Sequence, residues 1–311
     1  MSSPSARLAT HGASIVAPLT YYDKTSDGER PYQVIYDQQD PSKPTTNYIL
    51  KKPELPIHDL RPALSDPERR KEISIATTGF AVPEKEIAGT KMKYEDWENE
   101  EAIRGTYYRE VEELLKKVTG GSKVIIFDHT IRRGEKQGSE TPDTPQSRKP
   151  VQIVHVDQTP LSGKKRVLRH AKEEGLDGEH LLRGRAQLIN VWRPLRGPVL
   201  DVPLAVADFR TLSVDEDLVP SRLIYPPEGE PGYQPEGETF AIKHSERHQW
   251  YYLSEMGPQE VLLLKCWDNT ENGGVRTPHT AFNDPRYYGK DDVELRQSIE
   301  IRALVFHPPE E

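Results

Sequence analysis

The feature that most constrains this chain is the succession of β-type runs in its second half: RAQLINVWRPL, FAIKHSERHQWYYL, VLLLKCWDN and SIEIRALVF, joined by connections rich in Pro, Gly and Asp. Short runs of β-branched and aromatic residues bounded by turn formers specify strands. Because they follow a helix-bearing N-terminal third, the consistent architecture is mainly β with supporting helices, a barrel or jelly roll. All-β barrels of 311 residues commonly form one domain, so 1–311 is expected to be a single elaborated domain. Residues 1–60 hold the short β-like pieces SIVAPLTYY, YQVIYD and NYILKK and read as an extended arm or outer strands, with 61–311 as the core carrying helical insertions.

Two helices stand out. From Asp96 to Val118, Tyr107 or Tyr108, Val111, Leu114 or Leu115 and Val118 recur at helical spacing before Gly120 and Gly121, and KKRVLRHAKEEG gives a second amphipathic stretch. KVIIFDHTI reads as a buried strand. The polar segment 134–149 that follows it is expected to be solvated and a candidate lid, because it directly precedes VQIVHVDQT.

Composition removes whole classes of function. A net charge of −8, without a basic stretch interleaved with aromatics, argues against nucleic acid or an anionic membrane as partner. A single cysteine, Cys266, excludes both a disulfide framework and a thiolate zinc site, and it suits a reducing compartment. No signal-peptide core and no run of about 18 apolar residues is present, so the expected location is cytoplasmic. GEPGYQPEG at 229–237 lacks the strand–helix context of a phosphate-binding loop. The expected partner is a small molecule, and monomer or homodimer stays open.

In VQIVHVDQT the strand period of two puts Val151, Ile153, His155 and Asp157 on one face, so imidazole and carboxylate lie side by side. Two His and one carboxylate form the facial triad that leaves positions on Fe(II) open for oxygen and a cosubstrate. His279, in TPHTAFNDP, is the candidate third ligand. The bare pair is weak evidence, since ten His and 50 acids in 311 residues predict about 1.6 such pairs by chance, and the chain has two. His244 and Glu246 form the rival. On the last strand Arg296, Ser298, Glu300 and Arg302 share one face, while Leu295, Ile299, Ile301 and Val305 lie mainly on the other. Guanidinium groups buried there need an anion, either a bound carboxylate or a neighbouring acid such as Glu300.

At these residues the chain resembles the fungal gibberellin-desaturase and cephem-methoxylase-like family of iron and 2-oxoglutarate oxygenases, which includes hydroxylase/desaturases of secondary metabolism. The matching text is VHVDQT, INVWRPL, HQWYYLSEM, EVLLLKCWDN, PHTAFNDP and RQSIEIRALVF, so the resemblance covers roughly residues 60–307, more loosely in its first third. It implies a double-stranded β-helix of cupin type, His155, Asp157 and His279 as iron ligands, and Fe(II), 2-oxoglutarate and O2 as cofactor and cosubstrates. It also implies an arginine of the last strand on the distal carboxylate of 2-oxoglutarate, Arg296 with Ser298 or else Arg302. Gln187 and Asn190 are candidates for cosubstrate contact, and Trp192, Arg193, Trp250 and Tyr251 for a substrate pocket. Strand parity separates Gln187 and Arg193 from Asn190 and Trp192, so one pair faces inward. The expected reaction is hydroxylation or desaturation of a small organic metabolite. A metal-dependent isomerase or cyclase without 2-oxoglutarate, and a catalytically silent binding barrel, are the alternatives.

Overall fold

The computed structural model describes residues 14–36, 44–135, 148–226, 228–229, 237–270 and 274–308. Two sheets face each other. The larger runs through strands Ser14–Pro18, Glu54–Asp59, Trp250–Tyr252, Leu204–Ala207, His279–Ala281, His155–Val156, Gly237–Ile242, Leu218–Ile224 and Tyr32–Val34 in that spatial order. The smaller contains Phe80–Ala81, Leu262–Asp268, Ala186–Pro194, Gln297–Phe306 and Lys123–Arg133. From Ala186 onward the chain passes repeatedly between the two, which gives the jelly-roll, double-stranded β-helix arrangement. The expected outer strands of the N-terminal arm are present, and two of them, Ser14–Pro18 and Glu54–Asp59, extend the larger sheet at one edge.

Register decides which residues look into the space between the sheets, because residues directly opposite each other share a face. In the smaller sheet Asn190 opposes Leu264 and Arg302, and Trp192 opposes Leu262 and Glu300. These line its inner face. Ile189, Val191, Leu263, Ile299 and Ile301 lie on the outer face, where Val111, Leu114 and Leu115 of helix Tyr108–Thr119 cover them. The strand Ala186–Pro194 is therefore buried on both faces, which is why LINVW shows no polar alternation. In the larger sheet His279 opposes both His155 and Val206, and Val206 opposes Tyr251, giving the matching inner face. Its other face, with Val154, Val156, Ala205, Ala207, Trp250 and Tyr252, packs with Leu19 and Tyr21 of the N-terminal arm.

Three segments depart from the sequence reading. The helix expected from Asp96 is interrupted: a 3-10 turn Tyr94–Glu98 is followed by a restart at Asn99, whose side chain accepts from Glu101 and Ala102 amides, then a π-turn Ile103–Tyr107 before the regular helix begins at Tyr108. The second helix is longer, Pro160–Glu173, because Thr159 and Ser162 cap each other reciprocally and Pro160 occupies the first turn. Gly163 lets this helix lie directly on the Trp267 ring, since a Cβ there would fall 2.4 Å from it. FAIKHSERHQWYYL is two strands, Gly237–Ile242 and Trp250–Tyr252, with a turn closed by the His248 amide donating to the Ser245 carbonyl. Of the candidate lid 134–149, residues 136–147 lie outside the described residues.

Candidate metal centre

His155 and His279 sit opposite each other on neighbouring antiparallel strands, with ring centroids 4.4 Å apart. Each ring is oriented by its own backbone. His155 Nδ1 is 2.7 Å from the Ile153 carbonyl and His279 Nδ1 is 2.9 Å from the Thr277 carbonyl. A carbonyl only accepts, so both Nδ1 atoms carry the proton and both Nε2 lone pairs are left to point at a shared place. Asp157 Oδ1 lies 3.3 Å from His155 Nε2 and 4.0 Å from His279 Nε2. Its other oxygen is held from the facing sheet, with Asn190 Nδ2 donating to Oδ2 at 2.6 Å and Arg302 Nε 3.7 Å away. The three donor atoms fall within 4.8 Å of one another, and among the described residues no other trio of His, Cys, Asp or Glu converges in this way.

The electrostatics agree with the geometry. Burial works against the Asp157 charge, but the His155 hydrogen bond and the charges of His279 and Arg302 hold the carboxyl well below its usual range. Burial likewise opposes a charged His155, yet the Asp157 hydrogen bond and charge raise it, whereas burial and then the neighbouring His155 push His279 down. One anionic oxygen beside two imidazole nitrogens is a donor set for a divalent transition metal, and mixed N and O ligands of this kind suit Fe(II). On the facing sheet two buried polar atoms, Asn190 Oδ1 and Trp192 Nε1, have no hydrogen-bond partner. A ligand seated between the sheets would supply the missing partners.

The two arginines of the last strand differ in their surroundings. Arg302 donates to Asp128 Oδ2 at 2.8 Å, Glu300 Oε1 at 2.7 Å and Thr130 Oγ1 at 3.0 Å. Burial disfavours its charge, but Glu300, Asp157 and Asp128 together hold the guanidinium above its ordinary pKa. Arg296 is 3% exposed and makes no ion pair among the described residues. Its Nε donates to Ser298 Oγ at 3.2 Å, one terminal nitrogen donates to the Val202 carbonyl at 2.9 Å, and its head stacks over Trp192 with 4.9 Å to the ring centre. Burial, and secondarily Arg132, push Arg296 down to about 9, against the weaker opposing pull of Asp201 and Glu300. A guanidinium stays protonated, so this downward push describes a buried positive charge that is under-compensated.

Not every candidate named from the sequence reaches this centre. Asn190, Trp192 and Tyr251 are on the inner faces. Gln187 points the other way and meets His307, Nε2 to Oε1 at 3.1 Å. Arg193, also on the outer face, donates to the Tyr107 hydroxyl at 2.9 Å and to the carbonyls of Pro258 and Ala88, locking the helical layer to the sheet. Trp250 lies on the far face of the larger sheet, its Nε1 donating to Tyr21 Oη at 2.6 Å. The correction has one cause in all three: helical and N-terminal layers cover the outer faces, so the opposite parity faces inward. Asp128 was missed, although an acid at inward parity within KVIIFDHTI was a signal for it. The rival pair does not build a centre, since Glu246 has a side chain 90% exposed and His244 Nε2 is 3.7 Å from it.

With this geometry in view, the chain's similarities can be placed. The family described as oxidoreductase/YMDC permease-like domain matches residues 19–306. No helix among the described residues is long and apolar enough to cross a membrane. The chain is 31% identical over 302 residues to the alpha-ketoglutarate-dependent dioxygenase phiK of Fungal sp. (strain ATCC 74256), covering 94% of this chain and 95% of that protein. It is 31% identical over 339 aligned positions to the hydroxylase/desaturase poxK of Penicillium oxalicum, covering 98% of each. Among solved structures it is similar to the iron and alpha-ketoglutarate-dependent endoperoxidase NvfI of Aspergillus novofumigatus, with TM-score 0.75, 27% identity, and 95% of this chain and 98% of that one covered. A double-stranded β-helix with two backbone-oriented histidines beside a carboxylate, together with similarity along nearly its whole length, makes this chain a member of the fungal Fe(II)/2-oxoglutarate-dependent dioxygenase and hydroxylase/desaturase family.

Proposed function

We propose that this protein is an Fe(II)/2-oxoglutarate-dependent oxygenase that hydroxylates or desaturates a small organic metabolite, with His155, Asp157 and His279 as its metal ligands. The observation that carries the reading is the convergence of the two Nε2 atoms and Asp157 Oδ1 within 4.8 Å. When bound, iron with O2 and 2-oxoglutarate supplies the oxidising power that removes hydrogen from an unactivated C–H bond, while 2-oxoglutarate is converted to succinate and carbon dioxide.

The chain's own residues hold and orient. The Ile153 and Thr277 carbonyls fix each imidazole in the tautomer that offers Nε2. Asn190 and Arg302 occupy Asp157 Oδ2, which leaves Oδ1 for a metal and keeps the carboxylate ionised. Arg296, with Ser298 beside it, takes the distal carboxylate of 2-oxoglutarate. Its lack of an acidic partner supports this choice over Arg302, whose donors already serve Asp128 and Glu300. Leu204, Val206, Tyr251, Leu262 and Leu264 form an apolar wall that excludes water from the same interior. A single buried thiol, Cys266, supports a cytoplasmic location, which belongs to the same proposal.

Anaerobic addition of Fe(II) and then 2-oxoglutarate tests this directly. The expected results are a weak visible charge-transfer band and, on admitting air with a substrate, release of succinate. Iron bound without any band on adding 2-oxoglutarate would move the protein to a metal-dependent isomerase or cyclase.

A further inference from the structure

Helix Pro160–Glu173 and the end of strand Leu218–Ile224 border a space of about 200 Å³ whose lining includes Gln158, the residue after Asp157. Leu168, Leu223 and Tyr225 give it apolar walls, and its polar lining includes Gln158, Arg166 and Glu238 together with Ser162, Lys165 and Arg169, the last of which is paired with Glu173. It is tied to the centre in two ways. Gln158 follows Asp157 directly in the chain, and the Tyr225 phenol lies within the field of both Arg166 and Arg302. Arg302 in turn is 3.7 Å from Asp157.

The polar lining is unevenly satisfied. Gln158 is only 6% exposed, yet its Oε1 has no hydrogen-bond partner. A buried amide oxygen left so is costly, a cost that persists where a ligand relieves it. Glu238 does not make the space anionic, because Thr159 Oγ1 donates to its Oε2 at 2.7 Å and Arg30 pairs with its Oε1. Arg166 has no acidic partner among the described residues, and its guanidinium donates to the neutral Tyr225 phenol. Its guanidinium lies over the Phe127 ring, 5.8 Å from the centre. A guanidinium without an acid, an unpartnered amide oxygen and apolar walls together fit one kind of guest.

We propose that this space is the substrate-anchoring subsite: it takes the carboxylate-bearing end of an apolar organic acid, with Arg166 on the carboxylate and Gln158 on a neighbouring hydroxyl or amide. A volume of about 200 Å³ is below the ~300–1,000 Å³ that encloses a whole drug-sized ligand, so it holds one end while the reacting carbon reaches toward His155 and His279. The inference rests on the oxygenase reading for what happens to the guest, and not for whether it binds.

The test uses 2-naphthoate as probe and its uncharged amide as control, with the anaerobic enzyme loaded with Fe(II) and saturating 2-oxoglutarate so that the cosubstrate arginine is occupied. Naphthalene fluorescence reports binding. The acid is expected to bind about tenfold more tightly than the amide, the scale of a charged hydrogen bond. Arg166→Met should abolish that preference. Gln158→Leu should weaken the amide, whose N–H the Gln158 oxygen accepts, about three- to tenfold and the acid less. Both variants should keep wild-type iron content and the 2-oxoglutarate band, which shows that they are folded. Equal binding of acid and amide to the wild type overturns the subsite. So does an acid preference that survives Arg166→Met or disappears instead in Arg296→Lys. Failure of the oxygenase reading is read separately, as absence of the band whatever the naphthoate does.

Discussion

The chain contains two pairs with the same spacing, His155 with Asp157 and His244 with Glu246, and the contrast between them shows what turns a motif into a site. At the first pair each polar atom that does not face the shared point is held by something else: His155 Nδ1 by the Ile153 carbonyl, Asp157 Oδ2 by Asn190. A second histidine arrives from the adjacent strand. At the second pair His244 is edge-on to Tyr21, with its Nε2 buried and unpartnered, and Glu246 is in solvent. A further histidine beside Tyr21, His248, is committed on both sides, to Tyr21 Oη at 3.0 Å and to Asp217 Oδ2 at 3.0 Å. The first arrangement is over-determined and has donor atoms to spare; the second is a packed clasp for the N-terminal arm.

The largest effect expected from this contrast is on metal content. His155→Ala, Asp157→Ala and His279→Ala should each lose bound iron completely while retaining a cooperative melt, because each removes a donor atom and little packing. His244→Ala should retain it. Elemental analysis of the purified variants decides the matter: iron kept by the His279 variant, or lost by the His244 variant, would reverse the roles of the two pairs.

A second comparison, between two arginines on one strand face, gives the next effect. Arg296→Lys keeps the charge and loses the two-point fork, so 2-oxoglutarate affinity should fall about ten- to a hundredfold, the scale of roughly 1.5–3 kcal/mol for a charged hydrogen bond. Iron affinity should survive. Arg302→Lys disturbs the support of Asp157 instead, so its deficit should be in iron affinity, by the roughly ten- to hundredfold typical of groups that orient a ligand. Titrating the anaerobic band, first with Fe(II) and then with 2-oxoglutarate, separates the two. If Arg302→Lys selectively weakens 2-oxoglutarate, the cosubstrate contact lies six residues further along the strand.

These assignments were legible in the sequence to the extent that they depend on strand parity within one segment. A period of two fixed His155 with Asp157, and Arg296 with Ser298, Glu300 and Arg302, before any fold was known. It also separated Gln187 and Arg193 from Asn190 and Trp192. It could not say which of those pairs faces inward, since that depends on which face of Ala186–Pro194 the helix Tyr108–Thr119 covers, a contact between segments about 80 residues apart. The same gap applies to Trp250 and Tyr251, adjacent residues whose fates were set by the arm crossing behind the larger sheet. Support of Asp157 by Asn190, Asp128 and Arg302 comes across from the smaller sheet, so no local pattern encodes it.

The clasp around the second pair should matter for stability alone. Trp250→Phe keeps the ring packing and removes the donor to Tyr21 Oη, at an expected cost of about 1 kcal/mol. Denaturant unfolding measures that loss, and iron content should be unchanged. A loss of iron here would mean that the far face of the larger sheet controls the centre and that the two regions are coupled.

The smallest effect concerns pH and distinguishes the pairs once more. Burial first of all lowers the pKa of both His244 and His248, against the pull of Glu246 and Asp217 on His244 and of Asp217 on His248, with Lys51 and Arg247 adding to the lowering. A histidine depressed in the folded state binds its proton more readily when unfolded, so stability is intact at pH 7 and falls as pH drops below the unfolded value near 6.5 toward the lower folded one. Asp217 is held low against burial by Ser213 and His248, so its contribution persists until pH passes below the ordinary carboxylate range, outside this window. His244→Phe removes one titrating group and the unpartnered Nε2 while keeping an aromatic ring beside Tyr21. Melting followed from about pH 7 to about pH 5.5 should therefore show a shallower decline in the variant, with a difference of at most about 1.4 kcal/mol per pH unit for a single group. A variant slope equal to wild type would place the acid sensitivity in His248 or in the other buried histidines, and would leave His244 as packing that does not titrate in this range.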